Sequence, residues 1–431
     1  MKSKRYINWF MAVAVMGIGM VSCEDEPDKF ELSGGKPTIK YIRMPSASAA
    51  DSLIVGAFMD AAICLVGDNL KSIQEMYFND QKAILNTSYM TENTLIVNVP
   101  GTIPEVVYDK IFMVTRDKDT INYDFKVLVP GPTVSSMKCE WVNPGELAEI
   151  RGDYFIDDPG QPLTLKIGDT SIDISNFTKN TISFVVPENL AEGAVEVTTI
   201  YGEVTSKFHY NDTRGMMFDN WGAAGETGTG LTNHGWHARD IKKDEFSLSG
   251  SYMELGGTTM SADGGWADGN FAFEYWPGDW STPPVFAGTD ICLNDLVNFT
   301  DFANMALKFE MCIPASNPWM AGAMQIIFSG NDQVTIQTAN NTFFNNDTGY
   351  PRALYRPWSV TGSYDTADEW ITVTLPIASS FIYDHNGTDA KIPLTEANFT
   401  GLTIFVWSGG VNGTECNPVI KIDNIRAVPN K

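Results

Sequence analysis

Four tryptophans stand where a ring could be held out to a ligand. Trp276 and Trp280 bracket the Pro277-Gly278 turn and precede Pro283-Pro284, Trp319 follows Asn317-Pro318, and Trp358 follows Arg356-Pro357. Proline and glycine hold such segments in tight turns, which lowers the entropy lost when a ring is presented. Tyr350 and Tyr355 add two phenols to the same region, and Arg352 and Arg356 add donors. Asn317 just before Trp319, and Asn331, Asp332, Asn340, Asn341, Asn345, Asn346 and Asp347 between Trp319 and Trp358, read mostly as turn formers. Ring faces bordered by hydrogen-bonding groups suit a pyranose, whose C–H face packs on an aromatic while its hydroxyls need partners at the rim. The chemistry expected is non-covalent capture on a platform of Trp276, Trp280, Trp319 and Trp358, with Tyr350 and Tyr355 beside it.

Other residues carry less. Alternation in Trp370-Ile371-Thr372-Val373-Thr374-Leu375 makes Trp370 structural, and the apolar run Leu402 to Trp407 draws Trp407 towards a core or strand edge. Glycoside hydrolysis needs two carboxylates facing each other across a cleft. Glu254, Glu274 and Glu310 are single residues in candidate strands, and there is no GxSxG elbow, P-loop or GxGxxG after a strand, so no enzyme is expected. The four histidines form no HExxH or similar pattern. Near the end, Ile422-Asp423-Asn424-Ile425 resembles the closing strand of carbohydrate-binding jelly rolls, in several of which an acidic residue helps hold calcium. Asp423 with Phe218-Asp219-Asn220 offers two carboxylates where Ca²⁺ needs six or more oxygens. No cofactor is therefore assigned, and a structural calcium is kept as the alternative.

The elements that must position these residues are strands. Of 431 residues 43% are hydrophobic, ample for several cores, and the net charge of -24 argues against nucleic acid. From Pro37 onward, short alternating runs such as Thr94 to Val99 and Ile111 to Thr115 are separated by Gly, Pro, Asn and Asp, with no sustained helical period. Gly67-Asp68-Asn69-Leu70 aligns with Gly152-Asp153-Tyr154-Phe155, Phe78-Asn79-Asp80 with Ile167-Gly168-Asp169, and Thr94 to Pro100 with Thr181 to Pro187. The offsets of 85, 89 and 87 residues describe two copies of one sandwich. The repeat resembles the IPT/TIG immunoglobulin-like domain. The fold class expected is all-β: two tandem Ig-like sandwiches over 37–130 and 131–212, then a larger jelly-roll-like sandwich over 213–431 with nine of the eleven tryptophans between Trp221 and Trp407. The two repeats are read as spacers.

Residues 1–22 have the form of a lipoprotein signal peptide: Lys2, Lys4 and Arg5 precede the apolar Ile7 to Met20, and Met20-Val21-Ser22-Cys23 resembles a lipobox with Cys23 as the lipidated residue. The acidic stretch 23–36 reads as a flexible tether, and Glu24-Asp25-Glu26 resembles the export signal of outer-surface lipoproteins of Bacteroidetes. The remaining five cysteines show no CxxC spacing, which excludes a zinc ribbon or redox motif. Anchor, tandem IPT/TIG-like modules and a tryptophan-rich terminal sandwich together resemble the cell-surface glycan-binding lipoproteins of polysaccharide utilisation loci, the SGBP-B type. That resemblance implies an outer-membrane lipoprotein facing outward and a neutral polysaccharide ligand of the β-glucan, xyloglucan or mannan class. It also implies a SusC/SusD-type transporter and a surface endo-glycanase as partners. An adhesin binding protein is the alternative, and a surface glycoside hydrolase the third reading.

Overall fold

The computed structural model describes residues 31, 34–235, 239–265, 268–279, 281, 284–330 and 349–430. Cys23, Trp236, Trp266, Trp280 and the Asn-rich positions between 331 and 348 lie outside them. The architecture is almost wholly β, as the alternating runs require, and it falls into two compact units that meet at Pro130/Gly131.

The first unit is one sandwich. Its strands are β1 (Thr38–Arg43), β2 (Gly56–Phe58), β3 (Ala62–Asp68), β4 (Ile73–Phe78), β5 (Gln81–Lys82), β6 (Thr94–Asn98), β7 (Lys110–Thr115), β8 (Thr120–Asp124) and β9 (Lys126–Leu128). Sheet β1-β3-β6 packs on sheet β5-β4-β7-β8, and β2 pairs in parallel with β9. Ile63, Leu65, Met76, Phe78, Leu95, Ile111 and Met113 fill the space between the sheets.

The second unit holds two sandwiches. In the first of these, β10 (Thr133–Met137), β11 (Leu147–Asp153), β15 (Thr181–Val185) and β14 (Ile174–Phe177) form one sheet. β13 (Thr170–Ile172), β12 (Thr164–Ile167), β16 (Gly193–Thr199) and β17 (Gly202–Tyr210) form the other. Strand by strand, β10-β11-β15 repeats β1-β3-β6, and β13-β12-β16-β17 repeats β5-β4-β7-β8. The sequence repeat is thus a topological one: Gly67 is the penultimate residue of β3 as Gly152 is of β11, each so close to the neighbouring strand that a Cβ would lie within 2 Å of a backbone oxygen, 1.8 Å at Gly67 and 1.9 Å at Gly152.

The C-terminal sandwich has a six-stranded sheet of β18 (Met216–Phe218), β19 (Asp240–Lys242), β20 (Tyr252–Leu255), β22 (Met305–Cys312), β25 (Ile371–Pro376) and β27 (Ile420–Pro429). Its order is β19-β20-β27-β22-β25, with β18 also on β27. Against it packs a four-stranded sheet, β21-β26-β23-β24, made of β21 (Ala272–Tyr275), β23 (Ala323–Ser329), β24 (Ala353–Tyr355) and β26 (Gly401–Trp407). The core between them includes Met217, Phe218, Trp221, Phe309, Ile326, Ile404 and Ile425. Trp370 joins neither sheet's inner face; with Leu248 it packs on the core of the adjacent Ig-like sandwich.

Candidate functional site

Alternation gives the four-stranded sheet two different faces. Phe273 and Tyr275 on β21, Leu402, Ile404 and Val406 on β26, Met324, Ile326 and Phe328 on β23, and Ala353 on β24 all enter the sandwich core. The residues between them turn outward. Register aligns Ala272, Phe405, Gln325 and Leu354 in one row across the outer face and Glu274, Thr403 and Ile327 in the next. Trp276 and Tyr350 join Ala272, Ile327 and Phe405 in a second apolar cluster on this side, with Trp407 packed against it.

Polar groups are set among these rings by hydrogen bonds. The Trp276 indole N–H donates to Thr403 Oγ1 at 2.8 Å, so two neighbouring strands fix its plane. Gln325 donates to the Trp407 carbonyl at 2.8 Å and accepts from Arg352 Nη1 at 2.8 Å. Tyr350 donates to the Phe328 carbonyl at 2.9 Å and accepts from Asn398 Nδ2 at 2.5 Å. His385 lies parallel to Trp407, the ring centroids 6.0 Å apart and the planes inclined by 9°. Arg356 Nη1 donates to the Gly409 carbonyl beyond the end of β26. Arg352 is fully buried, and burial lowers its pKa to about 10 despite the charge of nearby Asp384. These outer-face groups are themselves buried, Trp276, Phe405 and Tyr350 at 2–4% exposure and Thr403, Gln325 and Arg352 at 0%, and Trp407 is the ring of the set that is partly exposed.

The platform read from sequence is therefore corrected. Trp276, Tyr350, Arg352 and Arg356 belong to this side of the sheet, but Trp319 and Trp358 do not. Trp319 has no exposed surface and donates to the Ala321 carbonyl at 2.6 Å; Trp358 is 3% exposed and donates to Gly322 at 2.7 Å. Both rings form part of the main core, with Tyr355 packed against it and tilted 54° to Trp319 at 6.2 Å. Pro357 sits in a turn and Pro318 follows one that Asn317 closes on Pro314, but both indoles fold inward. Trp280 lies outside the described residues. The sequence does not single out Phe405, Thr403, Gln325 or His385, and it draws Trp407 towards a core or strand edge; with both faces of β26 buried, alternation carries no signal for which parity turns outward.

The glutamates are occupied elsewhere. Glu254 pairs with Lys242 at 2.5 Å, and Glu310 is buried against Arg426 at 2.7 Å, so neither faces Glu274 across a cleft. At the postulated calcium position, Asp219 accepts the Asn220 N–H at 2.8 Å and the Thr229 N–H at 3.1 Å. Asp423 accepts the Asn424 N–H at 2.9 Å. Burial first, and then the charges of Glu310 and Asp219, push the Asp423 carboxyl well above the carboxylate range, while the Trp221 indole beside it pulls the other way. Among the described residues, the three acidic or histidine ligands close enough to share a cation are instead Glu192, His209 and Asp212, and Arg214 already grips Asp212 at 2.7 Å.

The C-terminal domain is thus a β-sandwich whose smaller sheet carries a mixed aromatic and polar outer face. The chain belongs to the surface glycan-binding protein B family: residues 210–429, just over half of it, match the family described as the surface glycan-binding protein B xyloglucan binding domain. The crystal structure of the surface glycan-binding protein SGBP-B of Prevotella bryantii is 43% identical, with a TM-score of 0.77 over 93% of this chain and 100% of that one. An IPT/TIG domain-containing protein of Bacteroides ovatus is 25% identical over 202 residues, 43% of this chain; the chain spans 40% of that relative's length. SGBP-B from a complex xyloglucan utilisation locus of Bacteroides uniformis is 15% identical, with a TM-score of 0.44 over 92% of this chain and 100% of that one. The protein is thus a surface glycan-binding protein and not an enzyme.

Proposed function

We propose that the chain captures a neutral β-glucan-type polysaccharide, with xyloglucan ahead of mixed-linkage glucan and mannan, on the outer face of sheet β21-β26-β23-β24. The observation that carries this reading is the partly exposed Trp407 ring, stacked on His385 and packed against the cluster of Trp276 and Phe405 that Thr403, Gln325 and Arg352 hold in place by hydrogen bonds. The family's description as a xyloglucan binding domain supports the ligand class. Stacking adds about 1 kcal/mol per ring beyond area burial, so affinity for a single chain segment is modest. Anchoring many copies through Cys23 on the outer membrane raises the effective strength. A SusC/SusD-type transporter and a surface endo-glycanase are the partners this role calls for, one to import the glycan and one to cut it.

Affinity electrophoresis in gels cast with xyloglucan, mixed-linkage glucan or mannan tests the ligand. Retardation strongest in xyloglucan is expected; equal mobility in every glycan gel and in the blank gel would support the adhesin reading instead.

A further inference from the structure

The second Ig-like sandwich lends the C-terminal one a charge. Lys308 on β22 and Arg426 on β27 are buried, 5% and 0% exposed; within their own sandwich Arg426 pairs with the buried Glu310, while among the described residues the ion pair of Lys308 lies outside that sandwich. The fourth member comes from the other domain: Glu140 accepts from Lys308 at 2.5 Å and from Arg426 at 2.7 Å and is itself 2% exposed. Two cations then face two carboxylates. Asp212 does not alter the balance because Arg214 matches it.

The same segment closes an edge. β25 ends the six-stranded sheet, and its Thr372 N–H donates to the Lys138 carbonyl at 2.9 Å while Thr372 Oγ1 accepts the Glu140 N–H at 2.7 Å. Lys138 pairs with Glu369 just before β25. An edge strand left open is a template for unwanted pairing, and here the Ig-like domain covers it. The linker is also fixed. Asn211 N–H donates to the Glu140 carbonyl at 2.7 Å, and Gly215, at φ +56°, lies so close to β27 that a Cβ would be 1.9 Å from the Ala427 oxygen.

We propose that residues 131–430 are one obligate body, in which the second Ig-like domain supplies the counter-charge and edge cap that the glycan-binding sandwich lacks. Removing one member of a buried ion network leaves an uncompensated charge, which is strongly destabilising, whereas removing a balanced pair is not. The domain is then half of the binding module and not a spacer. The inference does not depend on which glycan is bound.

The test uses the full-length protein. Hydrogen exchange across a denaturant series is expected to deprotect peptides from 131–212 and 213–430 together. Glu140→Gln is expected to lower their shared thermal midpoint by about 5–10 °C. Glu140→Gln with Lys308→Met, which leaves Arg426 facing Glu310, is expected to recover at least half of that loss. Peptides of the two sandwiches deprotecting separately in the wild type, or a midpoint unmoved by Glu140→Gln, would overturn the proposal. If Glu140→Gln alone does not fold, the double variant decides: it is expected to fold, and its failure overturns the proposal as well.

Discussion

The two faces of sheet β21-β26-β23-β24 are built from the same strands, yet they obey different rules. The inner face carries Leu402, Ile404, Val406, Met324, Ile326 and Phe328, side chains with no polar atom to satisfy other than sulfur. On the outer face, rings alternate with Thr403, Gln325 and Arg352, each of which makes a hydrogen bond. The comparison shows how one sheet buries two faces of different chemistry, with Trp407 the partly exposed ring of the outer one. A core needs only volume, whereas a surface for a polyhydroxylated ligand also needs donors and acceptors held at fixed spacing.

Substitutions on the two faces should therefore separate stability from binding. Trp319→Ala on the inner side has the largest expected effect, a loss of about 3–5 kcal/mol of folding stability. Chemical denaturation measures it, and glycan affinity per folded molecule should be unchanged. Trp407→Ala on the outer side should reverse the pattern, with affinity in glycan gels reduced about tenfold, or ~1.4 kcal/mol, and a smaller change in the unfolding midpoint. Equal loss of stability and binding in both variants would erase the distinction. Thr403→Val is the finest probe: it removes the acceptor 2.8 Å from the Trp276 indole while keeping the side chain's shape. A loss of about 1 kcal/mol is expected in stability, with a smaller loss in affinity read by calorimetric titration.

Much of the fold was legible because short β-strands announce themselves by alternation and by the turns between them. The strands Ile371–Pro376 and Gly401–Trp407 fall where the apolar or alternating runs stand. The strands Asp240–Lys242 and Ala353–Tyr355 have three residues each, too few for a period to show. The site was less legible for a related reason. Leu402 to Trp407 reads as one apolar run because both faces of β26 are buried, so alternation cannot say which parity meets the core. For Trp319 and Trp358, proline signals that the chain turns but not towards which side the ring swings. That choice depends on the Tyr355 ring and the Gly322 carbonyl, which come from distant parts of the chain.

Gly215 bears on how such a protein can be recombined. Modular surface proteins are often treated as cassettes that can be cut wherever one sandwich gives way to the next. Here a cut at 212/213 would sever Glu140 from Lys308 and Arg426, and any residue but glycine at position 215 would collide with Ala427. The unit of exchange, in evolution or in the laboratory, begins at Gly131.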